Sequence, residues 1–189
     1  MKNVTKNSKT VIRWLLIVGI PLVLVAAGVP LAFFLLQSGP DDSGPTLFVI
    51  QRSKNKNEVH YDIQADDNGA LGDEPVIAYW VMKADDGSRE DLTYFEREMA
   101  YGFEVMEPND NGDREMKLVA WDERTIRLTQ VEDSGRWRAV TTINGEDAYL
   151  NRLFIQTDEG GVTPSVEYVD LFGETVDGGD AIKERVNND

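Results

Sequence analysis

The sequence predicts a mainly β fold: a single antiparallel β-barrel or β-sandwich domain with one short α-helix, preceded by an N-terminal transmembrane helix. Three observations predict it. An uncharged apolar run spans Trp14–Leu36, apolar residues alternate with polar ones from Leu47 onward, and turn dipeptides such as Asp86-Gly87, Asn111-Gly112, Ser134-Gly135 and Asn144-Gly145 punctuate the alternating stretches. Asn-Gly and Asp-Gly supply the positive φ that tight hairpin turns require.

The apolar run comes first. Its 23 residues make about 34 Å of helix, enough to cross a hydrocarbon core of about 30 Å with some tilt. Lys2, Lys6, Lys9 and Arg13 precede it, and the first charges after it are Asp41 and Asp42, so the positive-inside rule places the N-terminus in the cytoplasm. Residues 1–13 read as a cytoplasmic N-terminus, 14–36 as the span, and 37–46, rich in Gly, Pro, Ser and Asp, as a flexible linker. An exported β-rich domain follows over 47–175, then a polar tail over 176–189. The expected location is the cell membrane, single-pass, with the C-terminal domain periplasmic or extracellular. A cleaved signal peptide is the competing reading, because Val25-Ala26-Ala27 offers small residues at a processing position; the apolar run, however, continues far past a usual signal core. Either way the remainder is exported.

Charge and cysteine usage narrow the function classes. After residue 46 the chain carries 15 basic and 32 acidic side chains, a net charge of −17. Nucleic acid and anionic membrane surfaces are therefore not expected partners. The expected partners are the membrane, through the N-terminal helix, and an envelope ligand or protein. With no cysteine there is no disulfide framework, thiol nucleophile or lipidation site.

Within the domain, Leu47–Ile50 is apolar on both faces, and Val59, Tyr61 and Ile63 alternate with His60, Asp62 and Gln64, so 47–64 reads as a hairpin closed by the loop Ser53–Asn57. A third strand runs over Val76–Lys83, with further strands near 115–121, 125–131 and 136–143. Two more fall at 149–156, which has a short helix as its alternative, and 165–172. Thr93–Tyr101 is the one helix, opened by Thr93 and Glu96 in capping-box spacing, with Leu92, Phe95 and Met99 as its buried stripe. The tail has weak helical character around 181–186.

No constellation satisfies the demands of a catalytic, metal or cofactor site. His60 is the single histidine, with Asp62 on the same strand face to orient it, yet no serine sits in a nucleophile elbow. The acidic turns around Gly69 and Gly112 resemble calcium loops, but the position due a bidentate acid holds Pro75 or Leu118. Tyr79 and Trp80 point to opposite faces of one strand, so one fills the core while the other lines a surface. Arg52, with Lys54 and Lys56, forms a basic loop able to hold an anionic group or, alternatively, a structural tie to an acid such as Glu96. The candidate binding residues are Arg52, Ser53, Asn55, Asn57, His60, Tyr61, Trp80, Glu96, Arg97 and Tyr101. The function expected is a binding or structural module; the alternative is an envelope-acting enzyme with Arg52, His60 and Tyr101 as its reactive cluster.

A family resemblance adds to this reading. It is carried by the run from Leu47 to Asp62 with its Arg52-Ser53-Lys54-Asn55-Lys56-Asn57 core, by Pro75–Trp80, by Leu92-Thr93 with Glu96-Arg97 and Ala100-Tyr101-Gly102, and by Leu150–Phe154 and Val166–Gly173. On these segments the chain resembles the bacterial family called domain of unknown function 4833. The resemblance implies an exported or envelope-associated bacterial domain and carries no family active site onto particular residues.

Overall fold

The computed structural model describes residues 44–158 and 165–188. The expected transmembrane segment lies outside the described residues, among which no helix is long and apolar enough to cross a membrane.

Eleven strands are present among the described residues: β1 Thr46–Arg52, β2 Asn55–Ala65, β3 Leu71–Val81, β4 Arg89–Asp91, β5 Phe103–Val105, β6 Arg114–Leu118, β7 Trp121–Gln130, β8 Trp137–Ile143, β9 Glu146–Asp158, β10 Ser165–Thr175 and β11 Ala181–Asn187. They form one sheet in the order β4-β3-β2-β1-β9-β8-β7-β6-β5, with β10 and then β11 on the other edge of β9. All pairings are antiparallel except β1 with β9, which is parallel from Val49↔Arg152 to Arg52↔Ile155.

The long strand β9 is the branch point. Along one edge its first residues pair with β8 and its later residues with β1, while β10 runs along the other edge. Two arms therefore leave β9 and curl toward each other over a single core that includes Phe48, Ile50, Tyr61, Trp80, Leu128 and Leu153. Contacts between the arms mark the curl: Tyr61 of β2 lies edge-on to Phe103 of β5, and the Trp137 indole N–H donates to the Gly69 carbonyl at 2.9 Å. The result is a curled open sheet, a half-barrel, rather than a closed barrel or two separate sheets.

Several local expectations change. The first hairpin closes in a two-residue turn at Ser53-Lys54, not a five-residue loop, because Asn55 already pairs with Arg52. The stretch 149–156 lies within a strand. Residues 181–187 are also a strand, since Ile182 and Val186 pack toward the core while Lys183 and Arg185 face the other side. The helix starts at its predicted capping box but holds α geometry only for α1, Tyr94–Glu96, before widening into a π turn over Arg97–Tyr101. That change breaks the expected stripe: Leu92 is buried, Met99 half-buried, and Phe95 64% exposed. Ala100 and Tyr101 are the turn's buried residues instead.

Candidate functional site

The two faces of β2 sort the candidate residues, because side chains alternate along a strand. Tyr61 points inward. Its ring stacks on Phe48 at 4.5 Å and its hydroxyl donates to the Tyr101 carbonyl at 2.8 Å, fixing the end of the π turn against the core. Trp80, opposite Val59 on β3, also points inward and meets the Tyr101 ring edge-on at 5.1 Å. Its indole N–H donates to Glu96 Oε1 at 3.1 Å, while Glu96 Oε2 accepts from the Thr93 amide and hydroxyl, both at 2.8 Å. Arg52 completes the group from the end of β1, hydrogen-bonding the Tyr101 phenol. Burial pushes the Tyr101 phenol up; the charge and hydrogen bond of Arg52 pull it back, and Glu96 adds a smaller upward push.

Arg52, Tyr61, Trp80, Glu96 and Tyr101 are thus brought together, and they bind one another. Glu96 caps the helix and receives Trp80, so both its oxygens are engaged. The rest of the basic hairpin behaves alike. The Ser53 amide donates to the Ile155 carbonyl at 2.9 Å and its hydroxyl lies 3.3 Å from that of buried Thr157. Asn55 Oδ1 accepts from the Asn57 amide at 2.9 Å, and Asn57 Oδ1 from the Ala84 amide at 2.8 Å. Arg97 stands apart, exposed, with its Nε donating to the Leu92 carbonyl at 3.1 Å.

His60 lies on the opposite face of the sheet. Its Nε2 is 3.1 Å from Glu58 Oε2, and its ring stacks on Tyr79 at 5.9 Å. Asp62 does not orient it; that carboxylate accepts instead from the Thr46 hydroxyl at 2.7 Å and the Tyr79 hydroxyl at 2.6 Å. The expected cluster of Arg52, His60 and Tyr101 is therefore divided by the sheet, because residue 60 has the wrong parity to share a face with Tyr61.

This outer face holds charged residues that sequence reasoning passed over. Buried Glu58 also holds Lys83 at 2.6 Å, and buried Asp170 holds Lys183 at 2.8 Å and Arg185 at 2.7 Å. Arg152, likewise buried, lies 4.3 Å over the Phe172 ring within the fields of Glu58 and Asp170. Burial alone would raise the Glu58 and Asp170 carboxyls, but their cationic partners outweigh it and hold both below the ordinary range. The available sign was an alternation of charged and apolar residues in β9, β10 and β11, which ordinary solvated strands share. Elsewhere, the crevice between Leu118, Trp121, Ile126, Leu150, Leu153 and Leu171 is a packing gap in the core, with no candidate residue in its wall. Among the described residues no three His, Asp or Glu side chains converge as metal ligands would.

A family model described as Domain of unknown function (DUF4833) matches residues 48–185. No curated protein and no solved structure matches the chain.

Proposed function

The chain belongs to the DUF4833 family, and from that premise we propose that it is a membrane-anchored, exported envelope domain that acts by binding rather than by catalysis. The anchoring rests on the uncharged run Trp14–Leu36 and its basic N-terminal flank. One observation carries the binding reading: Arg52 and Tyr101 face inward in a mutually satisfied cluster while His60 stands on the outer face, paired with Glu58. A general base must reach the group it deprotonates, directly or through one water, and this arrangement separates the candidates.

The test exposes the purified full chain to an envelope glycan fraction and follows both retention on the protein and the mass spectrum of the glycans. Retention with an unchanged spectrum is expected. New products that disappear in His60→Ala would overturn the reading. For topology, protease added to intact spheroplasts should digest the 47–189 domain; protection until lysis would reverse the orientation.

A further inference from the structure

The turn between β4 and β5 has two differently furnished sides. Inward it is tied down: Thr93 and Glu96 cap each other, the Trp80 indole N–H donates to Glu96, and the Tyr61 hydroxyl donates to the Tyr101 carbonyl. Outward it presents Tyr94 and Phe95, which at 71% and 64% are the two most exposed large hydrophobic side chains among the described residues. Their rings stand 5.8 Å apart at 75°, edge to face, and so make an aromatic corner. The corner faces solvent because the cap and the π widening direct Glu96, Ala100 and Tyr101 inward instead. A turn fixed in this way presents its rings without the ordering cost of a mobile loop, and π widenings recur at functional sites.

Elsewhere in the domain aromatic rings are matched with cations of the same chain. Tyr79, Trp121, Tyr149, Tyr168 and Phe172 each carry an Arg or Lys over the ring, between 3.6 and 5.0 Å from its centroid. Among the described residues no Arg or Lys lies over Tyr94 or Phe95. The electron-rich face of a ring attracts a cation, and carboxylates beside this corner add to the attraction. Residues 89–98 hold Glu90, Asp91, Glu96 and Glu98 against two guanidiniums. Both guanidiniums are engaged, Arg89 over the Tyr79 ring and Arg97 through its Nε on the Leu92 carbonyl. Glu98 is exposed and follows Tyr94 by four residues, the spacing that makes neighbours on a helical surface.

We infer that the Tyr94–Phe95 corner is the docking site for a basic polypeptide segment, which lays a Lys or Arg over the rings with its charge toward Glu98. This rests on the binding-module reading and names its partner. Charge complementarity selects the occupant: an anionic surface is repelled by the carboxylates, and a neutral apolar partner would cover the rings while desolvating those carboxylates without return. A cation satisfies both the ring faces and the acids. The open setting favours a polypeptide over a small cation, because rings this exposed cannot enclose most of a small ligand's surface as a pocket does. A chain adds contacts on either side of its anchoring cation, and the domain's net charge of −17 steers it inward from a distance.

The test titrates the full chain, in dodecyl maltoside so that no ammonium headgroup competes, into a fluorescein-labelled peptide of alternating lysine and leucine. A glutamate–leucine peptide and phosphatidylcholine vesicles run in parallel. Wild type is expected to bind the lysine peptide and not the glutamate peptide, with affinity falling as salt rises. Tyr94→Leu combined with Phe95→Leu keeps the apolar bulk and the net charge but removes the ring faces; it should weaken binding about tenfold with unchanged melting. Tyr94→Phe should bind as wild type does, and Glu98→Gln should bind more weakly with a shallower salt dependence. Absence of binding, or binding that the double variant leaves intact, overturns the inference, since general attraction to an acidic domain needs no rings. Equal binding of the glutamate peptide overturns the cation's part in it. Vesicle binding that is tighter than peptide binding and is lost in the double variant assigns the corner to a lipid surface instead. If envelope glycans are retained unchanged while the lysine peptide is not bound, the corner is wrong and the binding-module reading stands. If wild type cleaves the peptide, the binding-module reading falls, and the double variant still reports whether the corner holds the chain.

Discussion

Arg52 is the residue whose chemical type was plain in the sequence and whose role was not. A cation beside two asparagines and a serine reads equally as an anion site and as a tie, and only the position of Tyr101, forty-nine residues later, decides between them. Arg52→Ala is expected to cost about 1.5–3 kcal/mol, as loss of a charge-assisted hydrogen bond in a partly buried setting does, read as a lowered urea midpoint with unchanged slope. An unchanged midpoint would mean that the tie is dispensable. Asp170 is the opposite case, because its type gave no sign of burial and its partners lie in a stretch with the look of a weak helix. Its folded-state carboxyl is depressed by Arg185 and Lys183 despite burial. Unfolding restores the ordinary value of 3.8, so the unfolded chain binds the proton first. Asp170 therefore contributes its full stability above about pH 5 and loses it as pH falls through 3.8 and the lower folded value. Asp170→Asn should cost roughly 3 kcal/mol at pH 7 and should flatten the fall in melting temperature between pH 5 and 2. A variant as acid-sensitive as wild type would refute the assignment.

The helical turn shows how far local chemistry reaches. Thr93 and Glu96 announce the start, and the capping box forms as their spacing requires. The widening after Glu96 is not written locally, because it is imposed where Tyr101 must meet Arg52, Trp80 and the Tyr61 hydroxyl. Gly102 makes that exit possible: a Cβ there would stand 1.8 Å from the Arg97 carbonyl oxygen. Gly102→Ala is expected to destabilise by about 1–3 kcal/mol through overpacking and to loosen the Trp80–Tyr101 contact, seen as a shift in tryptophan emission. A neutral substitution would mean that the turn relaxes freely. In β11 the apolar pair Ile182 and Val186, four apart, suits one face of a helix as well as alternate positions of a strand. Pairing with β10 resolves the ambiguity, and the Asp177-Gly178-Gly179 turn between the two strands, with Gly179 at φ 68°, is the local sign of that pairing.

Across the whole molecule, β content was legible from period-two patterning and turn dipeptides, whereas the branch at β9 was not. Asn144, at φ 51°, and Gly145, at φ 88°, fulfil the hairpin turn their types predict. A parallel pairing between residues about 100 positions apart leaves no such mark. A chain beginning at Thr46 is expected to fold alone and give a β-dominated circular dichroism spectrum; a helix-dominated one would contradict the fold. The same branch dictates an order of events during synthesis. The edge of β1 that faces β9 has no partner until residues 152–155 have emerged, so the first hairpin must wait while most of the domain is still being delivered. Long-range closures of this kind are slow, and an unpaired strand edge invites pairing with another chain. Pulsed hydrogen exchange during refolding should show the β1 amides directed at β9 gaining protection late and together with those of residues 152–155; early protection of β1 alone would rule this order out. The price of joining two arms through one strand is thus a dependence of the first of the described strands on one of the last.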